Sequence, residues 1–174
     1  FTTADSYLKL SDGWNSPKEG TLSLKLRTNE PHGVLLYSVG AAKERNSSIH
    51  DFFALELLDG QLYLIQHLGS SPVKVKASEK RIHDGHWHTV TVRRSGRSGQ
   101  VVVDEMVSDF VSPGMSNHLD LNELYLGGFP RFNGDKLTYT PPQLWSASFG
   151  YGYIGCVRDL FLNDRIVDIA ELAK

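Results

Sequence analysis

The stretch Gly20-Thr21-Leu22-Ser23-Leu24-Lys25-Leu26-Arg27-Thr28 sets leucine at every second position, with serine, lysine and arginine between. Successive side chains of a strand point to opposite faces, so Leu22, Leu24 and Leu26 form one buried face and the polar residues stay in water. A sheet packed on one side and wet on the other is the antiparallel pattern. On the N-terminal side, Ser6-Tyr7-Leu8-Lys9-Leu10 alternates in the same way and ends in a turn carrying Gly13 and Pro17. On the other side, Asn29-Glu30-Pro31-His32-Gly33 is a turn by its proline and glycine. Val34-Leu35-Leu36-Tyr37-Ser38 follows as a strand apolar on both faces, hence a central one.

Farther along, Phe52-Phe53-Ala54-Leu55-Glu56-Leu57-Leu58 meets Gln61-Leu62-Tyr63-Leu64-Ile65 across Asp59-Gly60, a strong two-residue hairpin signature. A second hairpin joins the strand from His86 to Arg93 to Gln100-Val101-Val102-Val103 through the loop from Ser95 to Gly99. Further strands are expected from Pro72 to Ala77, Glu123 to Leu126 and Ile154 to Leu162. Only Asp168-Ile169-Ala170-Glu171-Leu172-Ala173 reads as a helical turn, with Asp168 as its N-cap. The fold class is therefore all-β, two packed antiparallel sheets with a short C-terminal helical turn. No repeat or linker divides residues 1–174, so one domain is expected, with function in the loops at the sandwich rim.

The composition narrows the function. Among 174 residues, 18 Lys and Arg face 20 Asp and Glu, a net charge of -2 that offers no basic field to a phosphate backbone and disfavours nucleic acid. No apolar run approaches the roughly 18 residues of a membrane span, and the opening Phe-Thr-Thr-Ala-Asp has no signal-peptide layout, so the chain reads as an excised piece. Its one cysteine, Cys156, cannot close an internal bridge. Either the chain is intracellular or the partner lies outside this segment.

Catalytic chemistry finds little support. There is no Gly-x-Ser-x-Gly elbow and no phosphate-cradling loop, and Gly155-Cys156-Val157 sits in an apolar strand pattern where a thiol is inert or bridged. A glycoside hydrolase would need two acids sharing a strand face. Glu56 stands alone in its strand, and Asp104-Glu105 are adjacent, pointing to opposite faces. His83, His86 and His88 are crowded enough to suggest zinc, which would need a further ligand and a supporting acid. The plainer alternative has His86 and His88 on one strand face and Trp87 pointing into the core. Arg93, Arg94 and Arg97 with Lys74, Lys76, Lys80 and Arg81 are the one basic concentration, suited to a sulfated glycan or else a solvated hairpin tip.

The segment Asp84-Gly85-His86-Trp87-His88-Thr89-Val90-Thr91-Val92-Arg93-Arg94 resembles the Asp-Gly-x-Trp-His-x-Val-x-x-x-Arg signature of laminin G-like domains, also called LNS domains. Asn29-Glu30-Pro31-His32-Gly33-Val34-Leu35-Leu36, Leu57-Leu58-Asp59-Gly60-Gln61-Leu62, Leu124-Tyr125-Leu126-Gly127-Gly128 and the run from Gly152 to Leu160 are similar to other landmarks of that family, in family order. Thr28-Asn29-Glu30-Pro31, Asp51-Phe52-Phe53-Ala54-Leu55-Glu56 and Tyr151-Gly152-Tyr153-Ile154-Gly155-Cys156 look most like a central LNS domain of an α-neurexin, the third among them.

The resemblance implies a jelly-roll-like sandwich and a non-catalytic, extracellular adhesion role on a cell-surface, presynaptic membrane protein. Relatives bind neuroligins, leucine-rich repeat transmembrane proteins or the glycans of dystroglycan, so protein or glycan partners are expected. A spacer role in a multidomain rod is the alternative, and a carbohydrate-active enzyme on a similar sandwich a third. Many members hold one Ca²⁺ at the rim, where an Asp gives its carboxylate and the residue seventeen positions later its carbonyl. Those positions match Asp51 and Leu68, which precedes Gly69-Ser70. A third ligand is expected near Asn117, with Met115 and His118 as neighbours. One carboxylate among neutral oxygens implies weak affinity, about 10⁻⁴–10⁻³ M, as in extracellular modules. Asn46-Ser47-Ser48 is an N-glycosylation sequon in the polar loop before Asp51. In the family, the cysteine equivalent to Cys156 pairs with one beyond the terminal helical turn, which implies a disulfide to a residue outside this chain.

Overall fold

The computed structural model describes residues 1–11, 13–42 and 50–174. One sheet places β1 (Leu8–Leu10), β10 (Glu123–Leu126), β3 (Gly33–Ala42), β4 (His50–Leu58), β5 (Gln61–His67) and β6 (Val73–Lys76) side by side in that order. The facing sheet runs β14 (Arg165–Val167), β13 (Cys156–Leu162), β2 (Glu19–Arg27), β7 (His88–Ser95), β8 (Ser98–Val103) and β9 (Met106–Val111). All neighbouring strands in both sheets are antiparallel. A small hairpin, β11 (Phe132–Asn133) and β12 (Lys136–Leu137), and two single-turn helices, α1 (Trp145–Ser148) and α2 (Ile169–Leu172), complete the described elements.

The leucine alternation of β2 does what its period demands. Leu22, Leu24 and Leu26 are buried between the sheets, against Val90 and Val92 of β7 and Leu160 and Leu162 of β13. Burying each such side chain contributes about 1.5–3 kcal/mol. The facing sheet supplies Leu36, Phe53, Leu55 and Leu64, and Trp14 meets Phe53 edge-on with ring centroids 5.0 Å apart. The continuous apolar run of β3 has a second cause. Val34, Tyr37 and Val39 face outward, where the segment from Phe129 to Ala147 folds back and encloses them with Phe52, Ala54, Ile65 and Tyr125.

Turn chemistry fixes the hairpins. Asp59 and Gly60 both take positive φ, 51° and 77°, the geometry that matches strand twist in a two-residue loop. At the C-terminal end, Asn163 and Asp164 do the same at 50° and 64°, joining β13 to β14. Asp168 caps α2 as expected, its carboxylate accepting Glu171 N–H at 3.0 Å.

Three expectations are corrected. Asp104 and Glu105 do not share a strand, because Asp104 takes φ 54° and the chain turns there into β9, a strand not expected. The loop between β7 and β8 shortens to Gly96-Arg97, since Ser95 pairs with Ser98. Trp87 does not enter the core: Leu26 pairs with His88, which puts His88 on the inner face and leaves Trp87, one residue earlier, outside. There the indole is half-buried between the Arg27 and Arg158 guanidiniums, 5.0 and 4.1 Å from its ring centre.

Candidate functional site

The rim begins where β4 and β5 leave the sheet. Phe52 pairs with His67, so the next step of the register sets Asp51 opposite Leu68, which is why their seventeen-residue separation is also proximity in space. Both are buried, 1% exposed each. His67 Nδ1 contacts His50 O at 2.8 Å, and His50 Nδ1 contacts Gly40 O at 2.8 Å, tying the ends of β3, β4 and β5 together. His50 also stacks on Tyr139, with ring centroids 4.4 Å apart.

The loop before β10 completes this corner through Asp120. Its backbone N–H donates to Asp51 Oδ2 at 3.1 Å, while its own carboxylate is exposed and lies 3.3 Å from His118 Nε2. Gly40 makes the approach possible, because a Cβ built there would stand 2.0 Å from Asp120 O. Asn117 is exposed and sits elsewhere on the loop, against the β7–β8 turn, where its Cβ would lie 3.3 Å from a Cβ on Gly96. The rim thus brings together Asp51, Leu68 and Asp120. Nothing in the spacing before β10 distinguished Asp120 from Asn117, since a backbone N–H leaves no side-chain signature.

Behind the corner, Arg94 of β7 is buried and donates to Ser16 O, Ser16 Oγ, Lys18 O and Gly96 O. Burial pulls its pKa down to about 10, against the opposing pull of the Asp51 charge. A fixed cation of this kind reduces the field that a second cation would meet at Asp51. The donors at the corner are a carboxylate and a strand-end carbonyl, both oxygen and carrying a single charge. Such a set fits a hard divalent cation held weakly. No cluster of three or more His, Cys, Asp or Glu side chains suited to a metal occurs among the described residues.

The other candidates resolve differently. His88 does not join a zinc set with His83 and His86; its two ring nitrogens lie 2.8 Å from Asp84 Oδ1 and 2.7 Å from Asp104 Oδ2. Glu56 is fully buried, with Lys74 Nζ at 2.7 Å from Oε1 and Ser146 N–H donating to Oε2 at 2.9 Å, a structural role. The linear basic concentration is not one patch: Arg94 is buried, Lys74 pairs with Glu56 and Arg81 pairs with Asp59 at 2.7 Å. Cys156 opens β13 on its outer face, exposed, with Arg27 Nη2 3.6 Å from its sulfur. The sequon at Asn46 lies outside the described residues.

A family model of the Laminin G domain matches residues 26–165. The chain is 41% identical to Neurexin-3a of Danio rerio and 42% identical to Neurexin-2 of Rattus norvegicus, in each case over its whole length and 10% of the relative. It therefore spans about a tenth of the curated relatives it matches. The LG1-3 region of the laminin alpha2 chain, a crystal structure, superposes with a TM-score of 0.81 at 24% identity, over 98% of this chain and 32% of that one. Two six-stranded antiparallel sheets, the rim corner and the match across most of the sequence agree: the chain belongs to the Laminin G domain family.

Proposed function

We propose that this chain is an extracellular, non-catalytic adhesion module of a neurexin-like, presynaptic cell-surface receptor, engaging a protein or glycan partner through its rim loops. The opposition of Asp51 and Leu68 at the rim carries this reading. The Asp51 carboxylate and the Leu68 carbonyl would hold a weakly bound Ca²⁺, with a further oxygen from the loop that carries Asn117 and Asp120. When bound, the ion supplies a fixed positive charge and open coordination positions for acidic or hydroxyl groups of a partner. The residues themselves do the positioning: His50 and His67 join the strand ends, and the Asp120 N–H orients the Asp51 carboxylate. Identity above 40% to two neurexins supports the cell-surface setting. The same setting supports a disulfide from Cys156 to a residue outside this chain and glycosylation at Asn46.

Thermal melting with millimolar Ca²⁺ tests the site, expecting a rise in Tm that Asp51→Asn abolishes. A pull-down against synaptic ectodomains tests the module, expecting Ca²⁺-dependent capture lost in the same variant. No capture with or without Ca²⁺ would leave a spacer.

A further inference from the structure

On the outer side of the first sheet, between the β11–β12 hairpin and the turn at 147–152, lies a cleft of about 410 Å³. That is within the range of small-ligand sites. It is not the Asp51 corner. Its Val34 end stands six residues along β3 from Gly40, about 20 Å at strand rise, while its Thr138 end adjoins Tyr139, which stacks on His50 at the corner.

Its chemistry is specific. Arg131 is the one charged residue of the lining, and among the described residues no carboxylate pairs with its guanidinium. Thr138, Thr140 and Ser148 add three hydroxyls. The Thr138 side-chain hydroxyl is buried and has no hydrogen-bond partner among the described residues, an unusual state for a buried hydroxyl. The Thr140 and Ser148 hydroxyls donate to Thr138 O and Leu144 O, each at 3.3 Å, and keep their acceptor lone pairs. The cleft's lip is aromatic. Tyr151 is 44% exposed, stacks on His32 with centroids 5.3 Å apart, and neighbours Phe149, itself 71% exposed, at 6.1 Å.

We propose that this cleft binds a carboxylate-bearing sugar residue. Its carboxylate would pair with the Arg131 fork, its hydroxyls with Thr138, Thr140 and Ser148, and an apolar C–H face would lie on Tyr151. An apolar peptide would leave the guanidinium and the three hydroxyls unpaired as it displaced their water, so a polyhydroxylated anion fits better. The proposal does not depend on the cation at Asp51.

The test is a backbone amide NMR titration in EDTA with three probes: 3′-sialyllactose, a glucuronic-acid-terminated disaccharide and neutral lactose. Shifts at Arg131, Thr138 and Tyr151 are expected with one or both acidic sugars and not with lactose. Which acidic sugar responds identifies the source of the carboxylate. Arg131→Gln, a change at an exposed position, should weaken binding about tenfold, and Asp51→Asn should leave it unchanged. Silence with both acidic sugars, equal response to lactose, or full binding by Arg131→Gln overturns the assignment. Binding that needs Ca²⁺ and vanishes in Asp51→Asn overturns it too, by moving the site to the rim.

Discussion

Lys74 Nζ lies 2.7 Å from the carboxylate of Glu56 and 3.4 Å from the centre of the Trp145 ring, so one ammonium fastens α1 to the outer face of β4. The Glu56 side chain has no exposure and that of Lys74 only 17%. Taking one partner away strands the other charge in a dry place. Glu56→Gln or Lys74→Met should cost about 3 kcal/mol, the lower end for a buried pair because Lys74 keeps some solvent. Replacing both by apolar residues should cost less than either single change. Urea unfolding of the three variants checks this, with Trp145 fluorescence reporting whether α1 has come loose. Additive losses would mean that the two charges do not depend on each other.

His88 should make stability depend on pH. Its ring reaches Asp84 and Asp104 from opposite nitrogens, and donating to both requires both protons. Burial works to lower its pKa, but the hydrogen bonds to Asp104 and Asp84 outweigh burial and raise it above the ordinary 6.5. Asp84 moves the other way, down to about 2, chiefly through its hydrogen bond to His88. The raised histidine contributes stability that is full below 6.5 and lost as pH climbs through its folded-state value; the lowered aspartate contributes stability that is full above 3.8 and lost as pH falls toward 2. His86, 3.6 Å from Asp84, also helps to lower that carboxyl when its ring is protonated. The Tm gap between the parent and His88→Gln should therefore be wider near pH 5.5 than near pH 8.5. A gap that does not change with pH contradicts the arrangement.

Trp87 and Trp14 should respond differently to removal. Trp14 is 1% exposed in the core against Phe53, and Trp14→Ala should cost about 3–5 kcal/mol. Trp87 packs between two surface guanidiniums, so Trp87→Ala should cost about 1–2 kcal/mol. Chemical denaturation separates the two. Equal losses would return Trp87 to the core.

Trp87 also shows where sequence reasoning stops. Alternation along β2 and the Asp59-Gly60 turn determine their local structure, because period and positive φ are properties of a few adjacent residues. The inner or outer sense of a strand is not local. His88, Val90 and Val92 share a face, and only their register against Leu26, Leu24 and Leu22 makes that face the inner one. The β9 strand is faint because Val107 and Val111, more than half exposed, face water while polar neighbours lie between them. The two-residue turn at Asn163-Asp164 was legible in principle, since both residues tolerate positive φ. At the rim, the family resemblance alone points to Asp51 and Leu68, whereas Asp120 meets Asp51 through a backbone N–H, which leaves no side-chain signature.

Gly40 should be intolerant of any side chain. A methyl group there would stand 2.0 Å from Asp120 O and 3.7 Å from Asp51 O, so the loop before β10 would have to move off the corner. Gly40→Ala should cost about 1–3 kcal/mol, the usual penalty of overpacking. It should also weaken any Ca²⁺-induced rise in Tm, because the Asp120 N–H would no longer orient Asp51. Stability loss with an unchanged Ca²⁺ response would separate the loop from the cation site.

Cys156 gives the last test. Its thiol is exposed at the start of β13, beside Arg27 and on the outer face that carries Trp87. Exposure governs access, so the folded 174-residue chain should react fully with Ellman's reagent without denaturant. If the cysteine is half of a disulfide in a longer natural chain, the same assay on that chain, secreted and unreduced, should find no thiol at Cys156. Peptide mapping should then link Cys156 to a residue outside this segment. A free thiol at Cys156 in that longer chain would sink the disulfide and leave an exposed, oxidisable group on the domain's surface.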